Sequence, residues 1–353
     1  MFKQFTIQAP LTAIEAELQQ KIDGKTKPLG ALGELENIAF QLGRIQQTST
    51  PNVSNAKMVV FAADHGVVAQ GISLFPQEVT PQMVMNFLMG GAAVSVFCEQ
   101  HHVPLRVVDV GVNAMLDGHP LLGDRKVAFA SKDFSQEAAM SAEQVAQSIQ
   151  AGVDEADLAI DDGANLLMFG EMGIGNTCVS SCMMTALIGV SATDSTGRGT
   201  GLDSAGVSHK AQIIEQSLRR AELATGQVMS EWSAQTLAEQ VGGFEILAMA
   251  GAMLQSAQRQ TAFVVDGFIC SVALLFAQKV VPNVREYAIF AHQSNEKAHK
   301  MLLSHLSAEP ILSLDLRLGE GSGAILAYPL IKSACIFLKN MASFESAGVS
   351  DSK

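Results

Sequence analysis

The sequence predicts an α/β fold in which a parallel sheet is flanked by helices. Five short apolar runs each end in a polar turn, and helical patterns lie between them. Apolarity along each run is continuous rather than alternating, which is typical of strands buried on both faces of a parallel sheet. Strands that alternate with helices in this way indicate a doubly wound or related α/β architecture.

The predicted strands are the runs bounded by these polar turns. They cover residues 57–63, 104–110, 166–169, 261–265 and 287–291. Between the third and fourth runs, apolar residues recur at helical spacing from Val179 to Leu187 and predict a helix that begins near Asn176. Ile214, Leu218 and Ala221 predict the next helix in the same way.

Two predicted domains follow from where the strand signals lie. Residues 25–305 are predicted to form a large α/β domain with the parallel sheet. Residues 1–24 and 306–353 look helical and lack strand signals, so we expect them to pack together as a small helical domain. The polar tail from Ser343 to Lys353 is expected to be frayed.

Composition disfavours several classes of protein. The net charge of −12 repels phosphate backbones, so nucleic acid is not an expected partner. An odd count of 5 scattered cysteines indicates a reducing compartment rather than a disulfide framework. The N-terminal segment does not resemble a secretory signal, and no apolar run is long enough to span a bilayer. We therefore expect a cytoplasmic protein without a membrane partner.

Polar residues follow the predicted strands, at the edge where open parallel sheets bind ligands. They are Asp64, His65, Asp109, Glu171, Asp266 and His292. Ligands in such folds lie in the crevice outside the carboxyl ends of the strands, which predicts a site there. The alternative is that these residues only punctuate strand ends.

Two glycine-rich turns are candidate anion-binding loops. The first, Gly170–Thr177, precedes a helix whose N–H groups and positive dipole end favour an anion. It matches neither the Walker A motif nor the GxGxxG dinucleotide motif. The second, Thr196–Asp203, is followed by Lys210. Together they predict an enclosure for a phosphate and its ribose; the alternative is two ordinary loops and a solvated lysine.

A third turn, Arg317–Gly323, places Glu320 between glycines directly before an apolar helix. Partial desolvation raises the pKa of a carboxyl group toward the range that suits a general base. A plain surface turn is the alternative. Metal-ligand spacings such as CxxC, HxxxH and HExxH are absent from the sequence, so we predict no metal or other cofactor.

Together these segments resemble the nicotinate-nucleotide:5,6-dimethylbenzimidazole phosphoribosyltransferases of cobalamin biosynthesis. The resemblance spans nearly the whole chain, and its blocks occur in the order found in that family. The blocks are Lys27–Glu36, Ala63–Val68, Phe75–Thr80, Gly170–Thr177, Val241–Phe244, Val265–Phe268, His292, Ser294, Glu296-Lys297 and Arg317–Ala324.

The resemblance implies a Rossmann-like homodimeric transferase with a small helical domain formed from both termini. Such an enzyme transfers the phosphoribosyl group of nicotinate mononucleotide to 5,6-dimethylbenzimidazole. The products are nicotinate and α-ribazole 5′-phosphate, the precursor of the lower ligand of cobalamin. It also implies small-molecule substrates as the binding partners.

The resemblance further implies roles for individual residues. Glu320 is the implied catalytic base and Glu171 a supporting carboxylate. The residues expected to bind phosphate and ribose are Gly173, Gly175, Asn176, Thr177, Gly197, Gly199, Lys210 and His292. The residues expected to line the acceptor pocket are Phe75, Val79, Met83 and Leu318. Because Phe75 and Met83 stand where some members place polar residues, the choice of aromatic acceptor stays open.

Other functions are kept as alternatives. One is a nucleotide N-glycosidase, in which water replaces the arene. Another is phosphoribosyl transfer to a different arene, and a third is a nucleotide-binding regulatory module without chemistry. A dehydrogenase is disfavoured because the dinucleotide fingerprint is missing.

Overall fold

A computed structural model describes residues 3–199 and 201–350, and these contain a six-stranded parallel sheet. The strands are β1 Ala56–Ala63, β2 Leu105–Gly111, β3 Leu122–Asp124, β4 Leu166–Met172, β5 Ala262–Val265 and β6 Ala288–Phe290. Their order across the sheet is β3-β2-β1-β4-β5-β6. The chain therefore winds outward in both directions from the β1/β4 pair, where doubly wound folds bind their ligands.

Burial of the strands confirms the predicted class of sheet. All seven residues of β4 and all four of β5 are buried, as continuous apolar runs require. The rings of Phe61, Phe169 and Phe263 follow one another across β1, β4 and β5, with centroids 6.4 Å and 6.1 Å apart. Their contacts join the three central strands on one face of the sheet.

Two features of the sheet differ from the sequence prediction. Strand β4 continues through Gly170, Glu171 and Met172, which were predicted to lie in the turn, because these residues pair with Val60, Phe61 and Ala62 of β1. The short edge strand β3 was not predicted, since Leu-Gly-Asp carries no apolar run.

Fourteen α-helices surround the sheet in the described residues. The first seven are α1 Glu15–Asp23, α2 Glu34–Gln46, α3 Val79–Leu88, α4 Ala93–Gln100, α5 Ala142–Asp161, α6 Asn176–Ile188 and α7 Ala192–Ser195. The others are α8 Ser204–Thr225, α9 Ala234–Val241, α10 Phe244–Gln258, α11 Phe268–Val280, α12 His299–His305, α13 Ser322–Asn340 and α14 Phe344–Ala347. Helices α6 and α8 lie where helical spacing predicted them.

The two ends of the chain meet, although not wholly as helices. Helix α1 begins only at Glu15, and the residues from 3 to 10 have no regular secondary structure. The expectation of a frayed tail is wrong for its first residues: Ser343 pairs with Lys25 in an antiparallel bridge and starts α14. Residues 1, 2 and 351–353 lie outside the described part. The domain boundaries at 24/25 and 305/306 stay a prediction.

Two apolar helical stretches are long enough, by length and composition, to cross a membrane: 79–100 and 322–340. The first is divided into α3 and α4 by a turn that contains Gly90 and Gly91. The second, α13, packs against α2, α4 and strand β4. Both stretches therefore belong to the layers that cover the sheet.

Helices α5 and α10 are in close contact, and glycines make the approach possible. A Cβ atom added to Gly152 would lie 1.8 Å from the carbonyl oxygen of Ala248. One added to Gly251 would lie 2.2 Å from the carbonyl oxygen of Ile149. The helix backbones are thus in direct contact, and no larger residue fits between them.

We predict that Gly152→Ala lowers the free energy of unfolding by about 1–3 kcal/mol, because the methyl group forces α5 away from α10. The steric cost of the methyl group is larger than the gain in intrinsic helix propensity, which is about 1 kcal/mol for alanine relative to glycine. Urea unfolding followed by circular dichroism measures the difference. Gly118→Ala is the matched control, since a Cβ there has no neighbour within 4 Å. Equal stability of the two variants would contradict the prediction.

Candidate active site

A cavity of about 700 Å³ opens at the carboxyl ends of the central strands. Its wall includes the end of β4, the turn after β5 that contains Asp266, and His292 after β6. The loop from 315 to 320 covers another side, and residues 72–83 complete the wall. The cavity thus lies at the edge of the sheet where the sequence predicted a site.

Most of the predicted site residues line this cavity. They are Phe75, Val79, Met83, Glu171, Gly173, Gly175, Asn176, Thr177, Gly199, His292, Leu318 and Glu320. Gly197 and Lys210 do not line it, but each contacts a residue that does. A Cβ atom on Gly197 would lie 1.9 Å from Oε2 of Glu296, and Nζ of Lys210 donates a hydrogen bond to Oγ1 of Thr177 at 2.7 Å. Thr200, within the second glycine-rich turn, lies outside the described residues.

Glu320 occupies an unusual backbone conformation. Its φ is +66°, in the left-handed region, and the glycines on either side, Gly319 and Gly321, have φ of +83° and +85°. A Cβ at Gly319 would lie 2.4 Å from Oε1 of Glu171, which shows how closely the turn approaches the end of β4. Three consecutive left-handed residues are sterically possible here because two of them are glycine.

The carboxyl group of Glu320 is buried and poorly paired. The residue is 6% exposed, and its Oε2 has no hydrogen-bond partner among the described residues. Burial, and then the negative charge of Asp266, raise the pKa of Glu320 to about 7. A carboxyl group of this kind is half ionised near neutral pH, as a general base requires.

Glu171 is the second carboxyl group in the cavity. It accepts hydrogen bonds from Nδ2 of Asn176 and from the backbone N–H of Glu320. Burial, followed by the charges of Glu245 and Asp266, nevertheless raises the pKa of Glu171 well above its usual range. Burial thus shifts Glu171 toward its protonated form, whereas Glu320, with a pKa of about 7, can exchange a proton near neutral pH.

The part of the cavity wall at the start of α6 has the features of an anion site. Helix α6 begins at Asn176 after Gly175, whose φ of 96° turns the chain into the helix, and Asn176 and Thr177 face the cavity. The N–H groups of a first helical turn favour a bound anion. Lys210 is 1% exposed, and burial lowers its pKa. Among the described residues no carboxylate forms an ion pair with Lys210, so its ammonium group is available for an anion.

Several residues of the site were not assigned a role from the sequence. Four of them line the cavity: Asp266, Ser294, Glu296 and Arg317. Each lies in a turn at the end of a strand or close to an assigned residue, and this position in the sequence could have indicated a role in the site. Glu245 affects Glu171 from the first turn of α10, where no local pattern indicates a site. In the described residues no group of three or more His, Cys, Asp or Glu side chains is arranged to hold a metal ion.

Comparison with known proteins assigns the chain and its fold to a family. The model of a phosphoribosyltransferase family matches residues 7–349. The nicotinate-nucleotide–dimethylbenzimidazole phosphoribosyltransferase of Aromatoleum aromaticum is 48% identical over 347 residues, which cover 98% of this chain and 99% of that protein. The enzyme of the same name from Vibrio vulnificus is 47% identical, with 95% and 97% covered.

A solved structure agrees with these relatives. CobT from Thermus thermophilus superposes with a TM-score of 0.92 and 40% sequence identity, and the match covers 96% of this chain and 99% of that one. The family model, the relatives and the structure all span nearly the full length. The chain therefore belongs to this phosphoribosyltransferase family, which includes the nicotinate-nucleotide–dimethylbenzimidazole phosphoribosyltransferases.

Proposed function

We propose that this protein transfers the phosphoribosyl group of nicotinate mononucleotide to 5,6-dimethylbenzimidazole, which yields nicotinate and α-ribazole 5′-phosphate for the lower ligand of cobalamin. One observation carries the proposal: a single cavity joins an anion site at the start of α6 to a buried carboxyl group, Glu320, with a pKa of about 7. The names of the relatives support transfer rather than the N-glycosidase alternative.

The proposed chemistry needs one base. The donor carries its nicotinate on C1′ through a positively charged ring nitrogen, so this nitrogen takes the electron pair of the breaking bond and leaves neutral. One nitrogen of the benzimidazole attacks C1′ from the opposite face, which inverts the β configuration to α. Glu320 accepts the proton from the other benzimidazole nitrogen. Holding the two rings in line and supplying the base account for the catalysis proposed here.

Glu171 has a supporting role that depends on its charge. Stabilising the positive charge that develops on the ribose requires the ionised form, whereas burial raises the pKa of Glu171 and disfavours that form. The pyridinium group of a donor bound beside Glu171 lowers the pKa again, because a nearby opposite charge favours the carboxylate. We therefore propose that donor binding itself ionises Glu171.

We assign positions to the groups of the two substrates from the chemistry of the residues that line the cavity. The donor phosphate is placed at the first turn of α6, beside Gly199 and within reach of Lys210 and His292. The glycines at 173, 175 and 197 leave room for the ribose. We place the dimethyl-substituted ring of the acceptor against Phe75, Val79, Met83 and Leu318, whose apolar side chains line the cavity.

We further propose that the protein is a soluble cytoplasmic homodimer. Apolar helices that cover a sheet support a soluble protein, and the acidic net charge argues against nucleic acid as a partner.

The transfer reaction is tested by incubating the protein with nicotinate mononucleotide and a panel of arenes, with products identified by mass. Release of nicotinate at the same rate without any arene would identify a glycosidase instead.

Replacing Glu320 by Gln is expected to lower kcat by about 10²–10⁴-fold, because the amide cannot accept the acceptor's proton. Binding of nicotinate mononucleotide, measured by calorimetry, is expected to stay nearly unchanged. Glu309→Gln is the matched control, since this glutamate is exposed and remote from the cavity wall. A Glu320→Gln variant that turns over as fast as the control would remove Glu320 from the base role.

The rate is expected to depend on pH through the ionisation of Glu320. Its pKa is raised to about 7, so the base is mostly protonated below that pH and ionised above it. We predict that kcat/KM falls about tenfold per pH unit below about 7 and reaches a plateau above it. Initial rates from pH 5 to 9 measure the profile. A flat profile across this range would exclude a single base of this pKa.

Lys210→Met is expected to weaken binding of nicotinate mononucleotide by about 10–100-fold, because a charge-assisted bond to the phosphate is lost. The affinity for nicotinate riboside, which lacks the phosphate, is expected to change little. Calorimetry with both ligands measures the difference. Lys300→Met, at an exposed lysine, serves as the control. Equal losses for the two ligands would show that Lys210 does not bind the phosphate.

A further inference from the structure

Asp266 links the end of β5 to the beginning of α13. Its Oδ1 accepts a hydrogen bond from the backbone N–H of Ala324 at 2.8 Å, and its carboxylate also interacts with the N–H groups of Gly321 and Gly323. These are the first N–H groups of α13, whose own N-cap residue, Gly321, has no side chain to bind them. Asp266 therefore caps this helix from a distant part of the chain, at the helix end where a negative charge is most favourable.

Glu320 directly precedes Gly321, the N-cap residue of this helix. A left-handed φ at a residue other than glycine is sterically unfavourable and persists only where the surroundings enforce it. The start of α13 is pressed against Asp266 and His292: a Cβ at Gly323 would lie 2.8 Å from Oδ1 of Asp266 and 2.1 Å from Cδ2 of His292. This contact leaves the helix start, and with it the turn of Glu320, no room to move toward β5.

Asp266 is also a buried carboxyl group without a lysine or arginine partner. It is 2% exposed, and no lysine or arginine of the described residues forms an ion pair with it. Burial raises its pKa, whereas His292, with Nε2 at 3.7 Å from Oδ1, and the three backbone N–H groups favour the carboxylate form. Its negative charge in turn raises the pKa of Glu171 and of Glu320.

We propose that Asp266 is the positioning residue of the turn that carries Glu320: by binding the first N–H groups of α13 it holds Glu320 in the left-handed conformation that faces the cavity. The inference deepens the proposed function, and its kinetic part rests on that function. Asp266 acts through Glu320 and takes no proton from the substrate.

The charge of Asp266 has a second consequence, which concerns the proton affinity of Glu320. The ionisable groups that share the cavity with Glu320 are Glu171 from β4, Asp266 from the turn after β5, Cys270 from α11, His292 and Glu296 from the segment after β6, and Asp315 and Arg317 from its own loop. Asp266 is the one whose charge raises the pKa of Glu320, after the effect of burial. Removing this charge while keeping the hydrogen-bond acceptor should therefore lower that pKa.

Two substitutions distinguish the effect of Asp266 as a helix cap from the effect of its charge. Asp266→Asn keeps an oxygen that can accept the Ala324 N–H but removes the charge; Asp266→Ala removes both. Titration of the Glu320 carboxyl by carbon-13 NMR, with the signal assigned by its absence in Glu320→Gln, measures the pKa without any substrate. We expect a decrease of about one pH unit or more in Asp266→Asn, because a like charge within a few ångströms shifts a carboxyl pKa by that amount.

The kinetic readout tests the positioning. In Asp266→Ala we expect kcat to fall by about 10²-fold, with little change in the KM for nicotinate mononucleotide, because a small misplacement of the base affects the chemical step alone. Asp266→Asn is expected to retain more activity than Asp266→Ala, and its rate profile is expected to extend to lower pH. Ser141→Ala, which removes the capping box of α5 far from the cavity, is the control for loss of a helix cap and should leave kcat unchanged.

Two results would overturn the inference. One is an unchanged Glu320 pKa in Asp266→Asn, and the other is a kcat in Asp266→Ala equal to that of Ser141→Ala. If Asp266→Ala does not fold, the titration and rate profile of Asp266→Asn still decide. If the wild-type protein transfers phosphoribose to no arene, the proposed function is wrong. The titration alone then tests whether Asp266 influences the pKa of Glu320.

Discussion

The close approach of the Glu320 turn to strand β4 is the contact on which the rest of the site depends. At Gly170 a Cβ atom would lie 2.3 Å from the carbonyl oxygen of Glu320, so the turn rests directly on the strand backbone. The same approach lets the backbone N–H of Glu320 bind the carboxylate of Glu171. Two carboxyl groups from distant segments are thereby held in one cavity with a fixed separation, which is what a preorganised site requires.

This arrangement concentrates carboxyl groups in a poorly hydrated volume. Glu171, Glu245, Asp266 and Glu320 are all buried, and like charges at short distance cannot all be ionised together. The structure relieves the repulsion in different ways: His65 pairs with Glu245 at 2.9 Å, and backbone N–H groups bind Asp266. Glu171, Asp266 and Glu320 nevertheless keep raised pKa values, with burial as the first cause for each of them. Perturbed pKa values of this kind are concentrated at functional sites.

The anion site is built from positive groups. A buried lysine that forms no ion pair with a carboxylate of the described residues, together with the first turn of α6, favours an anion beside Thr177. Glu171 and Glu320 line the same cavity. Under the proposed function, the phosphate and the cationic ring of the donor each find groups of opposite charge there, and Phe75, Val79 and Met83 add an apolar surface for a flat ring.

The sequence by itself determined the class of sheet and the turns that surround the cavity. Continuous apolar runs that end in polar turns and alternate with helical patterns are typical of strands covered on both faces, and glycines around Glu171 and Glu320 indicate close backbone approach. The tertiary structure alone decided which distant groups act on them. Lys210 reaches Thr177 from 33 residues away, and Asp266 caps a helix 58 residues further on. Glu245, inside a helix, changes the proton affinity of Glu171. Such effects depend on distances in space, and no local pattern of residues encodes them.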